Sequence, residues 1–365
     1  MISTFLRDPS KNLSRQVRFT KFAAVFRLNT PTTFTGTLDP FSERFFDRIA
    51  PAWGLVGRDV GVEFAGDFTK IHRKSAKGIT EWVLTGVGDL QTLADRVTYP
   101  NPGRGEKEQD VSHYRARASA GRVIGGLIEL NAGVGALPDR RAPGLTVRYE
   151  DVGKEVSVET RLKNLLTVCQ DLAVAGDVVF ESVPLQKGYV IRVRKPTVRA
   201  KSVVFTPQGG EVLGWELSHS APTATTVVVG GQGEGANRTL ESRTRANEWG
   251  RRIEVFKDRR DTDEAADLEK AANEELTKGE AEQSLKLEFR ETERLKFGRD
   301  FQIGDLVTAV LAPGVRATLP VTQAKVEWDG YQNRSVSLTL GAVDDNLRDV
   351  RMRKLFTDIS HISTI

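Results

Sequence analysis

Phe297-Gly298-Arg299-Asp300-Phe301-Gln302-Ile303-Gly304-Asp305-Leu306-Val307 is the stretch on which the reading of the fold turns. It pairs Gly298 with Asp300 and Gly304 with Asp305. Both pairs suit tight turns, because glycine supplies backbone freedom and a short carboxylate bonds nearby amides. Leu306 to Leu311 then predicts a strand. Downstream, Val321 to Trp328 predicts a second strand, Asp329-Gly330 a hairpin turn, and Val336, Leu338 and Leu340 a third strand. Upstream, Leu285, Leu287 and Phe289 alternate with Lys286, Glu288 and Arg290. Four strands in so short a span predict a small barrel or sandwich.

Working outward, short β segments dominate. Phe22, Ala24, Phe26 and Leu28 alternate as in a strand with one buried face. Further strands are expected near Val62 to Phe64, Thr80 to Val87, Val203 to Phe205, Glu211 to Leu217 and Thr225 to Val229. Val178 to Val183 and Tyr189 to Arg194 predict a hairpin. Helices are expected at Ala116 to Asn131, at Ser157 to Ala175 with Gly176 as its cap, and at Asp261 to Lys278, where Asp261 and Glu264 have capping-box spacing. A shorter helix should follow Asp89 as N-cap, with Leu90, Leu93, Ala94 and Val97 on one face and Pro100 and Pro102 as its stop. Cys169 falls on the apolar face of the second helix and is expected to be a packing residue.

The chain has 365 residues, 39% of them hydrophobic and 28% charged, which excludes wholesale disorder. One cysteine excludes an internal disulfide, and His72, His113, His219 and His361 are too scattered for a multi-histidine metal site. The N-terminal residues lack a signal-peptide run and no stretch of apolar residues is long enough to span a membrane, so a soluble, cytoplasmically made protein is expected. The net charge of +4 conceals segregation. Residues 186–201 carry Lys187, Arg192, Arg194, Lys195, Arg199 and Lys201 without an acid, whereas ten acids oppose five bases over residues 257–283. Solvated faces are the expected explanation of both.

Little catalytic chemistry is legible. Gly231-Gln232-Gly233-Glu234-Gly235-Ala236 fits the dinucleotide pattern after a strand, but the following chain offers one acidic helix and hairpins rather than repeated β-α-β units. Ser112 beside His113, and His219 between Ser218 and Ser220, are neighbours that point to opposite faces of a strand. No carboxylate pair stands out, and the five tryptophans are dispersed.

The arrangement resembles phage tail hub proteins, the tail-associated minor tail proteins of the siphovirus tail tip in phages of actinobacteria and the baseplate hubs of contractile tails. Three places carry the likeness. The first is Gly66-Asp67-Phe68, then Trp82-Val83-Leu84-Thr85-Gly86, then Asp89-Leu90 through Leu93, Arg96 and Pro100. The second is the helix ending at Ala175 with the hairpin Val178 to Arg194. The third is the opening stretch, with Gly298, Asp300, Phe301, Gly304 and Asp305 leading into the C-terminal strands.

The resemblance implies a fold that is mainly β with inserted α/β elements (α+β), carrying two small β-barrel-like domains. The first domain takes residues 1–105 and about 196–229, and an inserted α+β domain takes 106–195. A glycine-rich connection and helical segment follows at 230–283, the second barrel-like domain at 284–342 and a tail at 343–365. Gly230, Gly231, Gly233 and Gly235 would then form a mobile loop reaching a neighbouring subunit. The implied function is that of a non-enzymatic structural hub in the virion, at the tip of the phage tail, assembled in the bacterial host cytoplasm. It would be a homotrimer joining the sixfold tail tube or distal tail protein to a threefold tip fibre or central spike. Tape-measure protein and then DNA would pass through it without specific binding. No cofactor, metal or catalytic residue is implied. The chain closes shortly after the last expected strand, so a tip enzyme is expected on another chain. Two other readings compete: a β-rich enzyme, carbohydrate-active or using Gly231 to Ala236 for a nucleotide, and a nucleic-acid binder using residues 186–201.

Overall fold

In a computed structural model, residues 2–43, 52–76, 79–260, 262–312, 315–330 and 333–341 are described. The N-terminal third is strand after strand: β1 (Ser3–Arg7), β2 (Leu13–Val17), β3 (Phe19–Arg27) and β4 (Thr30–Leu38), a turn of helix α1 (Pro40–Glu43), then β5 (Gly54–Asp59), β6 (Val62–Ala76) and β7 (Ile79–Gly88). The alternation at residues 22–28 gives β3 as expected. Its Phe22 meets Phe34, Phe64 and Trp328 at ring centroid distances of 6.1, 5.9 and 5.9 Å. Burying each such side chain contributes about 1.5–3 kcal/mol.

The helix after Asp89 is a single turn, α2 (Gln91–Ala94). Asp89 does not cap it, contrary to expectation. Its carboxylate is buried and takes two hydrogen bonds from Arg7, at 2.6 and 2.9 Å. A charged partner outcompetes a backbone amide for a buried carboxylate. Leu90 and Leu93 are buried as expected, but Val97 is exposed.

The next segment alternates types: β8 (Tyr114–Ser119), α3 (Ala120–Asn131), β9 (Leu145–Arg148), β10 (Glu155–Thr160), α4 (Leu165–Gly176), β11 (Val179–Pro184) and β12 (Tyr189–Arg194). Both expected helices begin later than predicted. Tyr114–Ser119 and Glu155–Thr160 instead pair antiparallel over their whole length. Asn164 then starts α4, its side chain accepting from the Thr167 amide. Asp177, in the left-handed region at φ 54°, ends it; Gly176 belongs to the helix and packs on Ala120. The predicted hairpin is present, with Val179 opposite Arg194 and Pro184 opposite Tyr189, and β9 adds parallel to β12. Leu165, Cys169, Leu172, Ile124, Leu127, Phe180 and Ile191 share one core. Burial pushes the Cys169 thiol far up, as suits a packing residue.

The remaining elements are β13 (Val204–Phe205), β14 (Val212–Ser220), β15 (Thr226–Gly230), β16 (Leu240–Thr244), β17 (Glu254–Asp258), α5 (Ala265–Lys278), β18 (Glu282–Phe289), β19 (Leu306–Ala312), β20 (Val315–Asp329) and β21 (Arg334–Gly341). Asp261, half of the expected capping box, lies outside the described residues. Glu264 holds the N-cap position of α5 without a side-chain cap bond.

Among the described residues thirteen strands form one sheet, whose main path runs β14-β18-β21-β20-β3-β4-β7-β6-β5-β1-β2, with β19 joining β20 to β13. β20 pairs with β21, β19 and β3, so the strands of the two expected β units are continuous through β20 and β3. The chain divides into two compact units, Met1–Trp215 with Leu287–Leu340, and a smaller one built on Glu216–Lys286. In the smaller unit, β16-β15-β17 form a sheet with α5 packed on one face through Val227, Val229, Leu268, Ala272 and Leu276.

Candidate functional site

Residues 297–305 form a joint. Gly298 sits at φ 89° and Gly61 at φ 68°, and their backbones touch. A Cβ at Gly61 would lie 2.4 Å from the Gly298 carbonyl carbon, and one at Gly298 2.6 Å from that of Gly61. The turn is closed by the Gly298 amide donating to the Phe301 carbonyl at 2.7 Å. Asp300 accepts from the Lys296 amide at 2.7 Å and pairs with Arg299, which holds its carboxyl below the usual range. Phe301 is buried between Phe205, Phe289 and Phe297 at 5.3, 5.6 and 5.7 Å.

The second half of the joint ties two layers of the larger unit together. Gly304, at φ 87°, faces Val179 and Leu28, and its amide donates to Val321. Asp305 is fully buried. It accepts from the Gln302 amide at 3.1 Å and from Arg199 at 2.8 Å. Arg194 donates to the Ile303 carbonyl at 2.7 Å. The five residues singled out in sequence thus lie together, and their polar groups hold the chain in place.

Two charge clusters of this unit escaped the sequence. Arg334 donates to Asp59 at 3.0 Å and to the Phe297 carbonyl at 2.8 Å, and pairs with Glu291 at 3.1 Å; Trp328 donates to Asp59 at 2.6 Å. Arg7 bridges Asp89 and Asp67, and Lys11 reaches Asp67 at 2.5 Å. Their members are up to 275 residues apart, so only topology brings them together. Asp67 and Asp89 were visible only as parts of the first motif; Gly66 and Asp67 lie within β6 rather than in a turn.

The glycine loop lies in the smaller unit. Gly231 is buried against Leu268 and Thr262, while Gly233 and Gly235 are exposed with positive φ. Arg238 donates to the carbonyls of Gly230 and Gly231 at 2.9 and 3.0 Å. The loop joins β15 to the antiparallel β16, where a dinucleotide pattern needs a strand followed by a helix of several turns. The basic segment is also internally matched: Glu181 pairs with Arg192 and Arg194 at 2.9 and 3.0 Å, and Asp305 takes Arg199. Among the described residues, no group of His, Cys, Asp and Glu side chains is placed to hold a metal ion, and no helix is long and apolar enough to cross a membrane.

A β-rich sheet with an inserted α+β layer, locked by glycine–acid turns at residues 298–305, defines a class of fold. Comparison with known proteins specifies it. The profile of the family described as Siphovirus ReqiPepy6 Gp37-like protein matches residues 4–342, and the chain belongs to that family. No curated protein sequence matches it. Among solved structures it is similar in fold to the 43 kDa tail protein of prophage MuSo2 from Shewanella oneidensis, with a TM-score of 0.59, 12% identity, and 96% of this chain and 99% of that chain covered. The tail protein from Neisseria meningitidis MC58 gives 0.58 and 9%, covering 97% and 99%. Prophage tail protein gp18 from Listeria monocytogenes EGD-e gives 0.54 and 13%, covering 96% and 97%. The fold is that of phage tail proteins, as the resemblance implied.

Proposed function

We propose that the chain is a structural hub at the distal tip of a phage tail. The observation that carries this is the family match over residues 4–342 together with a tail-protein fold shared over nearly the whole length of both chains. In this reading three copies form a ring. One side meets the sixfold tail tube or distal tail protein, the other a threefold fibre or spike. The opening passes tape-measure protein and DNA. Barrel-like portions at 1–105 and at 284–342 would alternate around the ring; of residues 196–229, β13 and β14 pair with β19 and β18 of the second portion rather than with the first, and β15 belongs to the smaller unit. That smaller unit would lie between neighbours, with Gly233 and Gly235 as an exposed contact loop. The joint at 297–305 supports a load-bearing role, because its turns leave little freedom between strands and inserted layer. Electron microscopy of the purified chain, sorted into class averages, tests this. A threefold ring with a central opening is expected. A particle of one chain at every concentration, with no ring on adding a distal tail protein, would remove the hub reading and leave only the fold.

A further inference from the structure

The hairpin of β6 and β7 outruns its sheet. β5 pairs β6 only over Val62–Asp67, and β4 pairs β7 only over Val83–Val87. Among the described residues the hairpin strands pair beyond those limits only with each other, Arg73 opposite Trp82 and Ser75 opposite Thr80. A two-stranded ribbon is marginal in water unless it packs on something. Lys70, Ile71, His72 and Arg73 are all exposed. Ile71 and Arg73 share a face with Trp82, whose ring lies 5.0 Å from the Arg73 guanidinium; Lys70 and His72 take the other face. From Thr69 to Ala76 the sequence holds Lys70, His72, Arg73 and Lys74 and no acid, and from Ile79 to Trp82 the partner strand adds one acid, Glu81, opposite Lys74, so the arm stays net positive. This is an arm with an apolar rail and a positive charge.

The chain also carries a complementary surface. The outer side of α5 and its approach exposes Asp263, Glu264, Asp267 and Glu274 against Lys270, around exposed Ala265 and Ala266, while Glu269 is matched by Arg243 of β16 at 2.9 Å. We infer that the arm of one copy docks on the α5 face of a second copy. Opposite charges fix the register of such a contact and guide the encounter, and the two alanines leave a flat seat for Ile71. A contact between unlike surfaces is heterologous, and repeated around an axis it closes a ring. The inference therefore rests on the hub reading and names the contact that would close it.

The test mixes two full-length variants, Ile71→Cys and Ala266→Cys, under mild oxidation; the native Cys169 is buried and does not compete. A disulfide-linked pair should form in the mixture and far less with either variant alone. Separately, Lys70→Glu with Arg73→Glu, or Asp267→Lys with Glu274→Lys, should weaken self-association by about tenfold, and all four changes together should restore most of it. Circular dichroism checks that each variant folds. Association that ignores both reversals, with no mixed disulfide, overturns the arm contact while the ring stands. Cross-links as frequent in either variant alone as in the mixture overturn it too, as does arm-dependent binding of a nucleic acid without self-association. Absence of any self-association at low salt overturns the contact, and the class averages then decide the hub reading on their own.

Discussion

At Gly298 and Gly61 two backbones meet with no room for a side chain, and both lie at positive φ. Gly298→Ala must therefore strain its own backbone and push the Gly61 loop away, at a cost of about 2–4 kcal/mol. A denaturant melt of the variant should show that loss; an unchanged midpoint would mean the contact is looser than described. Asp59 gives a second test. Burial works against its charge, yet the Trp328 indole, the Val60 amide and Arg334 together hold its carboxyl below the ordinary value. A lowered folded-state pKa means the unfolded chain binds the proton more readily. The stabilisation is thus complete above the ordinary carboxylate pKa and is lost as pH falls through the folded value. Wild-type stability should fall on acidification below about pH 4. Asp59→Asn should be less stable at pH 7 and should lose less on acidification, as thermal melts across that range would show. Equal slopes would mean that Asp59 makes no linked contribution.

At the scale of elements, legibility followed pattern length. The hairpin at 179–194 and the strand at 306–312 were plain because short runs rich in apolar and β-branched residues are bounded by turn residues, Pro184 to Gly188 in the first and Gly304-Asp305 in the second. Ser157 to Thr160, most of β10, was absorbed into a helix because Val158 precedes the strong helical spacing of residues 165–173; the break is made by Asn164, whose capping role depends on where the helix starts. Leu240–Thr244 and Leu13–Val17 were invisible for another reason. Their side chains are mostly exposed, so no apolar period marks them, and they exist through pairing with neighbours. Of the joint, the glycine–acid turns were readable as local chemistry. Their partners Gly61, Arg199 and Val179 were not, since nothing local announces a contact across more than a hundred residues.

At the scale of the molecule, the smaller unit is an insertion in the chain of the larger. The Thr223 and Ala224 amides both donate to the Gly279 carbonyl, at 2.8 and 3.2 Å, so its base is pinched shut. Its sheet and α5 have their own core. β14 and β18 are neighbours in the large sheet and supply the two connections. Replacing residues 224–279 with a short glycine-containing turn should therefore leave the larger unit folded. Closing so short a loop costs little chain entropy compared with the long one removed. The shortened protein should keep a cooperative thermal transition and native strand content by circular dichroism. Loss of the transition would show that the two units fold as one. Should the transition survive, the shortened chain also separates fold from assembly: it lacks α5, so it should be monomeric even where the full chain associates.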